Sequence, residues 1–254
     1  MIKSILFLLC ACLFNANSFA QSLSIYCEDD KPMEFVGPDH KLTGFGVEVV
    51  QEIQRRVGNK DEIKMTLWAL GLRELDSRPN TALFSMARTA ERDPKYLWVG
   101  PIAERNYGLY VKADSTLNIT NLEEAKAVRA IGVYHGDVRD QYLTKLGFKN
   151  LDRADQNVSN FKKLMLDRVV MYAGSTADIK SQAESAGYAI SDVKLAFNFL
   201  KAQLFITFSK GTDPALVAQW NKALDDMKKD KTFLSLHRKY YPDIDPPGPL
   251  VAPY

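Results

Sequence analysis

Short apolar segments alternate with amphipathic helical stretches along almost the whole chain, and that alternation restricts the fold more than any other feature. Helices layered on a largely parallel sheet bury both periodicities at once. The first strand reads Leu23–Cys27, followed by a helix around Val47–Val57 whose Val50, Ile53 and Val57 fall on one side. Strands near Ile63–Leu67, Thr81–Phe84 and Tyr107–Val111 come next, and the loop ADSTLNITNLEEAK separates them from a second series. There the pattern predicts a strand at Val128–Tyr134 and a helix opened by Gly136-Asp137, with Asp137 as N-cap and Gly147 as its stop. A helix over Val158–Leu166, a strand at Val169–Ala173 and a helix capped by Ser175 that ends near Gly187 follow. Val193–Phe197 and Leu204–Phe208 are further strands. Asp213-Pro214 starts a helix buried through Leu216, Val217, Trp220, Leu224 and Met227, and Thr232 caps a last one ending at Tyr240-Tyr241-Pro242. The tail PDIDPPGPLVAPY predicts extended chain on the surface. The expected class is α/β, in two units.

Residues 1–20 carry a basic Lys3, an apolar run at Ile5–Phe14 too short to span a bilayer, and small residues at Ser18 and Ala20 before Gln21. This is the pattern of a cleaved signal peptide, and it implies a periplasmic protein. A lipoprotein signal on Cys12 is the competing reading, which Cys10 before Ala11 fits poorly. Without Lys3 the chain has 32 basic and 31 acidic residues, a balance that gives no electrostatic case for nucleic acid or an anionic membrane. Cleavage leaves only Cys27, read as a buried structural thiol. His40, His135 and His237 are scattered and form no zinc pattern, and no cofactor motif is present.

Two segments concentrate the remaining signal. PMEFVGPDHKLTGFGVEVVQEIQRRVG, Pro32 to Gly58, leads through the turn Gly44-Phe45-Gly46 into the first helix. FSMARTAERDPKYLWVGP, Phe84 to Pro101, ends an apolar run in Ser85, Arg88, Thr89 and Arg92. An arginine there presents a planar fork to a carboxylate. Together these segments resemble the amino-terminal lobe of the family 3 periplasmic solute-binding proteins, the polar amino acid receptors of ABC importers. The stretch FITFSKGTDPALVAQWNKALDDMKKDKTFLSLHRKYYP is similar to the family's closing segment, so the resemblance spans the mature chain. It implies a two-lobe periplasmic-binding-protein-like fold of type II with the ligand cleft between lobes. Lobe 1 would comprise 21–113 and 203–254, with the tail 242–254 lying on it, and lobe 2 would comprise 114–202. The chain would cross near Lys112–Ser115 and Leu200–Gln203. The receptor would be a monomer that closes by hinge motion on a small solute and hands it to an ABC permease or a membrane sensor.

The same resemblance assigns roles residue by residue. Thr89-Ala90-Glu91-Arg92 matches the family's T-x-x-R segment, so Arg92 would grip an α-carboxylate with Thr89 beside it. Ser85 and Ala87 align with ligand-contacting positions, with only backbone available at Ala87. Arg88 either strengthens the anion site or forms a structural ion pair. Trp68, Trp98 and Phe84 are candidate walls. Gly136-Asp137-Val138 matches the family's turn in lobe 2 at the glycine, offering the amides of Asp137 and Val138. Ser175 stands where amino acid receptors place the carboxylate that meets the ligand's ammonium, and no acid follows until Asp178. The amine would then fall to Asp30 or Asp137, and a carboxylate with an apolar or aromatic body is expected to bind at least as readily as a basic amino acid.

Two other classes fit the same architecture. One is an enzyme resembling the periplasmic cyclohexadienyl dehydratases, with Glu34, Asp30 or Asp137 as general acid. The other is a ligand-sensing adaptor for a signalling partner.

Overall fold

The computed structural model describes residues 22–253, so the expected signal peptide lies outside the described residues. One eight-stranded sheet organises the chain, in the order β4-β1-β5-β10-β6-β9-β7-β8. Strand β1 (Ser24–Cys27) lies parallel between β4 (Ile63–Met65) and β5 (Thr81–Ala87). At the other end β7 (Ile131–Tyr134) lies parallel between β8 (Leu151–Ala154) and β9 (Met171–Ser175). The two ends are joined by β6 (Tyr96–Lys112) and β10 (Val193–Ser209), which are 17 residues each and pair antiparallel along their whole length.

Several expected elements change extent. Sequence placed a short strand at Tyr107–Val111 and two separate strands at Val193–Phe197 and Leu204–Phe208; each proves part of a longer strand. The polar residues Glu104, Arg105 and Asn106 do not end the strand: β10 carries Lys201, Ala202 and Gln203 opposite them and the ladder continues. Strand β6 first meets β9 at Tyr107, while its earlier residues share β10 with β5. The change of neighbours therefore falls near Ala103–Asn106, earlier than the Lys112–Ser115 crossing expected from sequence. On β10 it falls at Leu200–Leu204, close to the expected Leu200–Gln203. Two small elements were not named from sequence: the hairpin β2–β3 (Phe35–Val36, Leu42–Thr43) and helix α2 (Trp68–Ser77), whose apolar stripe is only Trp68, Leu72 and Leu75.

Helix α1 (Phe45–Val57) shows how local sequence builds the first half. Gly44 takes φ +124°, and a Cβ there would lie 2.3 Å from the Met33 carbonyl oxygen, so only glycine fits the entry turn. Val50 and Ile53 are fully buried, and Gly58 ends the helix in a left-handed conformation. In the second half the short α3 (Leu122–Lys126) precedes β7, and α4 (Val138–Lys145) is capped by Asp137, whose side chain accepts from Arg139 N and Asp140 N. Helix α5 (Asn157–Met165) follows. Helix α6 (Ile179–Ala186) is capped at Asp178; Ser175, expected in that role, is the last residue of β9. Asp213 and Pro214 start α7 (Pro214–Lys229) as expected. In α8 (Thr232–Tyr240) Thr232 is the first helical residue, and Lys231 holds the cap position with a left-handed backbone.

Helix α7 returns to the first half. Trp220 is fully buried, its ring edge-on to Phe208 at 5.1 Å. The tail also packs back: Gln203 donates to the Pro249 carbonyl at 2.8 Å and accepts from Val251 N at 3.1 Å. Trp220→Ala should cost about 3–5 kcal/mol in urea unfolding, because a large cavity opens under a rigid strand; a loss below 1 kcal/mol would show that α7 does not belong to this core.

Candidate ligand-binding cleft

Between the two halves lies a narrow polar pocket of about 20 Å³, flanked on both sides and partly open to solvent. Its first wall is built from strand ends. Glu28, Asp29 and Asp30 follow β1 directly, Ser85 and Ala87 end β5, and Trp68 opens α2. Strand ends of a parallel sheet leave side chains at a crevice, which is where open α/β sheets bind ligands. The second wall comes from Asp137, Val138 and Arg139 at the start of α4 and Asn157 at the start of α5, with Arg105 and Tyr107 of β6 along the floor.

Of the residues named from sequence, the structure brings Asp30, Trp68, Ser85, Ala87, Arg92, Asp137 and Val138 together around this cavity. Arg92 is buried; its Nη1 donates to the Ala87 carbonyl at 3.2 Å and its guanidinium sits 5.4 Å from the Trp68 ring centre. Thr89 holds that turn, its hydroxyl accepting from Arg92 N at 3.2 Å, and opens on a neighbouring groove beside Tyr142. Arg88 resolves to the structural alternative: Nε donates to Asp93 at 2.6 Å and the guanidinium packs against Trp98 and Phe205. Phe84 is buried in the core and Trp98 packs on Tyr96 and Phe205, so neither walls the cavity. Ser175 is buried off the cavity, its hydroxyl accepting from Ala177 N.

Charge in the cleft is arranged in pairs. Arg105 Nη1 donates to Asp30 at 2.6 Å and to Asp178 at 3.2 Å, joining a carboxylate from each wall. Asp178, three residues past the expected amine position, is thus drawn to the cleft rather than left on the surface. Arg139 is saturated: it reaches Asp137, the Ala173 carbonyl at 3.1 Å and Asn157 at 2.9 Å, between the rings of Tyr107 and Tyr134. Both oxygens of Asp137 are occupied by this pair and by the α4 cap, which removes it as an amine acceptor. Glu34 lies beneath Ser85, whose hydroxyl donates to it; burial, and then Asp30, hold its carboxyl well above the usual range. Gly46 makes room, since a Cβ there would meet Glu34 Oε1 at 2.3 Å.

Arg105, Tyr107, Arg139 and Asn157 were not singled out as site residues from sequence, and Glu28 stood out only as part of an acidic first loop with Asp29, Asp30 and Glu34. Arg105 had a signal: it is a full charge amid the strand residues PIAERNYGLYV. Arg139 had only its place three residues after Gly136, and Asn157 had none.

Three contacts tie the walls directly. Tyr134 donates to Glu28 Oε2 at 2.6 Å, Trp68 Nε1 to the Gly136 carbonyl at 3.3 Å, and Ser181 to the Lys31 carbonyl at 2.5 Å. A cleft floored by two continuous strands and lined by an arginine on an aromatic ring is the architecture of a two-lobe solute receptor. The model of the bacterial extracellular solute-binding proteins, family 3, matches residues 23–243, and the chain belongs to that family. It is 27% identical over 206 residues to the probable amino-acid-binding protein YxeM of Bacillus subtilis (strain 168), covering 79% of this chain and 76% of that one. It is 23% identical over 215 residues to the L-cystine-binding protein TcyJ of Escherichia coli (strain K12), covering 83% and 78%. Among solved structures, an ancestral arginine-binding protein bound to arginine superposes with a TM-score of 0.77 at 24% identity, over 87% of this chain and 98% of that one. These named relatives are binding proteins, and binding rather than catalysis is the work of this chain.

Removing Arg105 should be costly. Arg105→Met strands Asp30 and Asp178 as buried carboxylates, and chemical denaturation should read a loss of about 3–5 kcal/mol at pH 8. The loss should shrink at pH 5, where protonation relieves the stranded charge; equal losses at both pH values would refute the pairing.

Burial, and then Asp30, push Glu28 up to about 8; burial likewise raises Asp178 to about 7 against the pull of Arg105. A raised carboxyl contributes stability that is full below its ordinary value and lost as pH climbs through the folded one. His237, held below its ordinary value by burial, works in the opposite direction around pH 6.5. The comparison with Glu28→Gln isolates the carboxyl. By differential scanning calorimetry the variant should gain on the ligand-free wild type as pH rises from about 6 to 8, and a pH-independent difference would count against a buried Glu28 carboxyl.

Proposed function

We infer that the protein is an exported receptor that closes on a small carboxylate-bearing solute, an amino acid or a close analogue, and delivers it to an ABC permease. The observation that carries this reading is Arg92, which is buried at the cavity wall, stacked on Trp68 and braced by the Ala87 carbonyl. A guanidinium fixed in this way puts a planar fork at the cleft wall, and such a fork matches a carboxylate in position and orientation. Ser85 and the backbone at Ala87 flank it, and Val138 and Asn157 approach from the opposite wall. The amino-acid-binding relatives support the same ligand class.

The lobes in this reading follow the strand pairing. Lobe 1 takes residues 22–103 and 204–253 and lobe 2 takes 104–203, with the hinge where β6 and β10 change neighbours. The signal-like residues 1–20 support export with cleavage after Ala20.

A thermal-shift screen of amino acids and small carboxylates identifies ligands by mass action. With any hit, Arg92→Ala should weaken binding by about 2–5 kcal/mol while leaving the circular dichroism spectrum unchanged. Arg92→Lys should also bind poorly, because a point charge does not reproduce the fork. Unaltered affinity in Arg92→Ala would move the carboxylate site elsewhere.

A further inference from the structure

Residues 244–253 lie past residues 23–243, the span that the family model matches, so family membership does not account for where they go. Part of this segment docks on a single side chain. Gln203 Nε2 donates to the carbonyls of Pro249 at 2.8 Å and Gly248 at 3.4 Å, and its Oε1 accepts from Val251 N at 3.1 Å. Gln203 is buried, and these bonds use both ends of its amide. The side chains of Leu250 and Val251 stay 58% and 56% exposed, so the segment is held here by its backbone rather than by apolar burial. Pro246, Pro247 and Pro249 restrict it before it docks, which reduces the entropy lost on docking.

The point of attachment is where the first wall is hung. Strand β5 ends at Ala87 opposite Leu204, and one further bond, from Arg88 N to the Gln203 carbonyl at 3.2 Å, roots the turn that follows. The turn from Arg88 to Arg92 folds back on that root. Arg92 N donates to the Thr89 carbonyl at 3.0 Å and to its hydroxyl at 3.2 Å, and Arg92 Nη1 donates to the Ala87 carbonyl at 3.2 Å. Arg92 is therefore aimed from the backbone at Ala87 and Arg88, which is seated on Gln203 and Leu204. The same stretch of β10 is where the strand changes neighbours, so its backbone has no second ladder of unbroken register to steady it. We propose that residues 248–251 are a strap that positions Arg92: by clasping the Gln203 amide they hold the strand residue on which the arginine turn is rooted. This rests on the reading of Arg92 as carboxylate anchor, and it makes Gln203 a positioning residue outside the cleft lining. A planar fork binds well only when its angle is right as well as its place. A loosened root would swing the guanidinium off the Trp68 ring, whose centre lies 5.4 Å away.

Nitrogen-15 NMR of the ligand-free protein reads that geometry. The Trp68 ring current shields protons held over its face, so the Arg92 Nε–H signal, assigned by its loss in Arg92→Lys, reports the stacking. Gln203→Met removes both ends of the amide. Val251→Pro removes one donor from the strap, at an exposed residue, and leaves Gln203 in place. Each should move the Arg92 signal toward its position in Trp68→Ala, while Leu250→Ser, whose side chain is exposed, should leave it unmoved. Titration with L-arginine, L-norvaline and pentanoate adds affinity. For the tightest of the three, both strap variants should bind roughly fivefold more weakly, the scale of coupling for a residue that touches no ligand. Neither should weaken binding further in the Arg92→Ala background. An Arg92 signal that stays in place in either strap variant, or a weakening that persists undiminished in Arg92→Ala, overturns the strap and leaves the anchor standing. Binding by none of the three, or equal binding by Arg92→Ala, overturns the anchor and the strap's purpose with it.

Discussion

The antiparallel pairing of β6 with β10 is the constraint on which the rest of the molecule depends. It runs from Tyr96 opposite Ser209 to Lys112 opposite Val193, so the two halves of the fold share one ladder. The register slips between Leu204 and Ile206, between Asn198 and Leu200 and between Leu195 and Phe197, and such bulges bend and twist a strand without ending it. The middle of the ladder is where polar residues accumulate: Glu104, Arg105 and Asn106 on one strand, Gln203 on the other. Because Arg105 projects from the shared floor, it reaches a carboxylate on each wall. A backbone that bends at a few residues and a side chain that reads both walls occupy the same stretch of chain.

That placement explains why so much charge is tolerated under cover. Buried ion pairs recover their desolvation cost only when geometry and added hydrogen bonds are good. Arg139 meets that condition completely, with a carboxylate, a carbonyl and an amide oxygen around one guanidinium. Asp30, Asp178 and Glu28 do not, and burial raises the carboxyls of the latter two. Clefts concentrate perturbed groups of this kind because function, rather than stability, requires them there. The first loop has the same character: Glu34 is sealed beneath Ser85, beside a turn that only glycine at position 44 permits, with Gly46 leaving room for its carboxyl.

Much of the fold was legible because its elements are locally consistent. Gly44, Gly58, Asp137, Gly187 and the Asp213-Pro214 pair mark helix ends at or next to where they fall. The long central strands were not legible, since a strand crossing a cleft carries charge on one side and breaks its own alternation. Arg92 and Trp68 were visible as residue types in a recognisable segment, but their stacking was not. Asn157 was invisible for a different reason. Its place in the cleft comes from walls separated by more than a hundred residues, and nothing local to its position records the meeting, whereas Glu28 was legible as part of an acidic loop but not as a partner of Tyr134. Asp178 shows the limit most clearly: it was named as the next acid, three residues past the expected place, but only the fold shows that at the cap position of α6 it turns inward to Arg105.

The distribution of groups between the walls also bears on how closure would be driven. Glu28, Asp30, Trp68, Ser85 and Arg92 all belong to the first wall, so the proposed carboxylate anchor would be present before the cleft shuts. The second wall contributes Val138, Asn157 and the Asp137–Arg139 pair, which is neutral as a unit. A ligand shifts an open–closed equilibrium only by its difference in affinity for the two states. Here that difference would not come from a new counter-ion on the second wall. It would come from the loss of water around contacts already made, which strengthens them as the local dielectric falls. The direct bridges from Tyr134, Trp68 and Ser181 join the walls in this structure, and at about 0.5–1.5 kcal/mol each they would be lost if the walls parted. A solute held by Arg92 in the open state would therefore keep that contact on closure and gain from its strengthening rather than from a new partner.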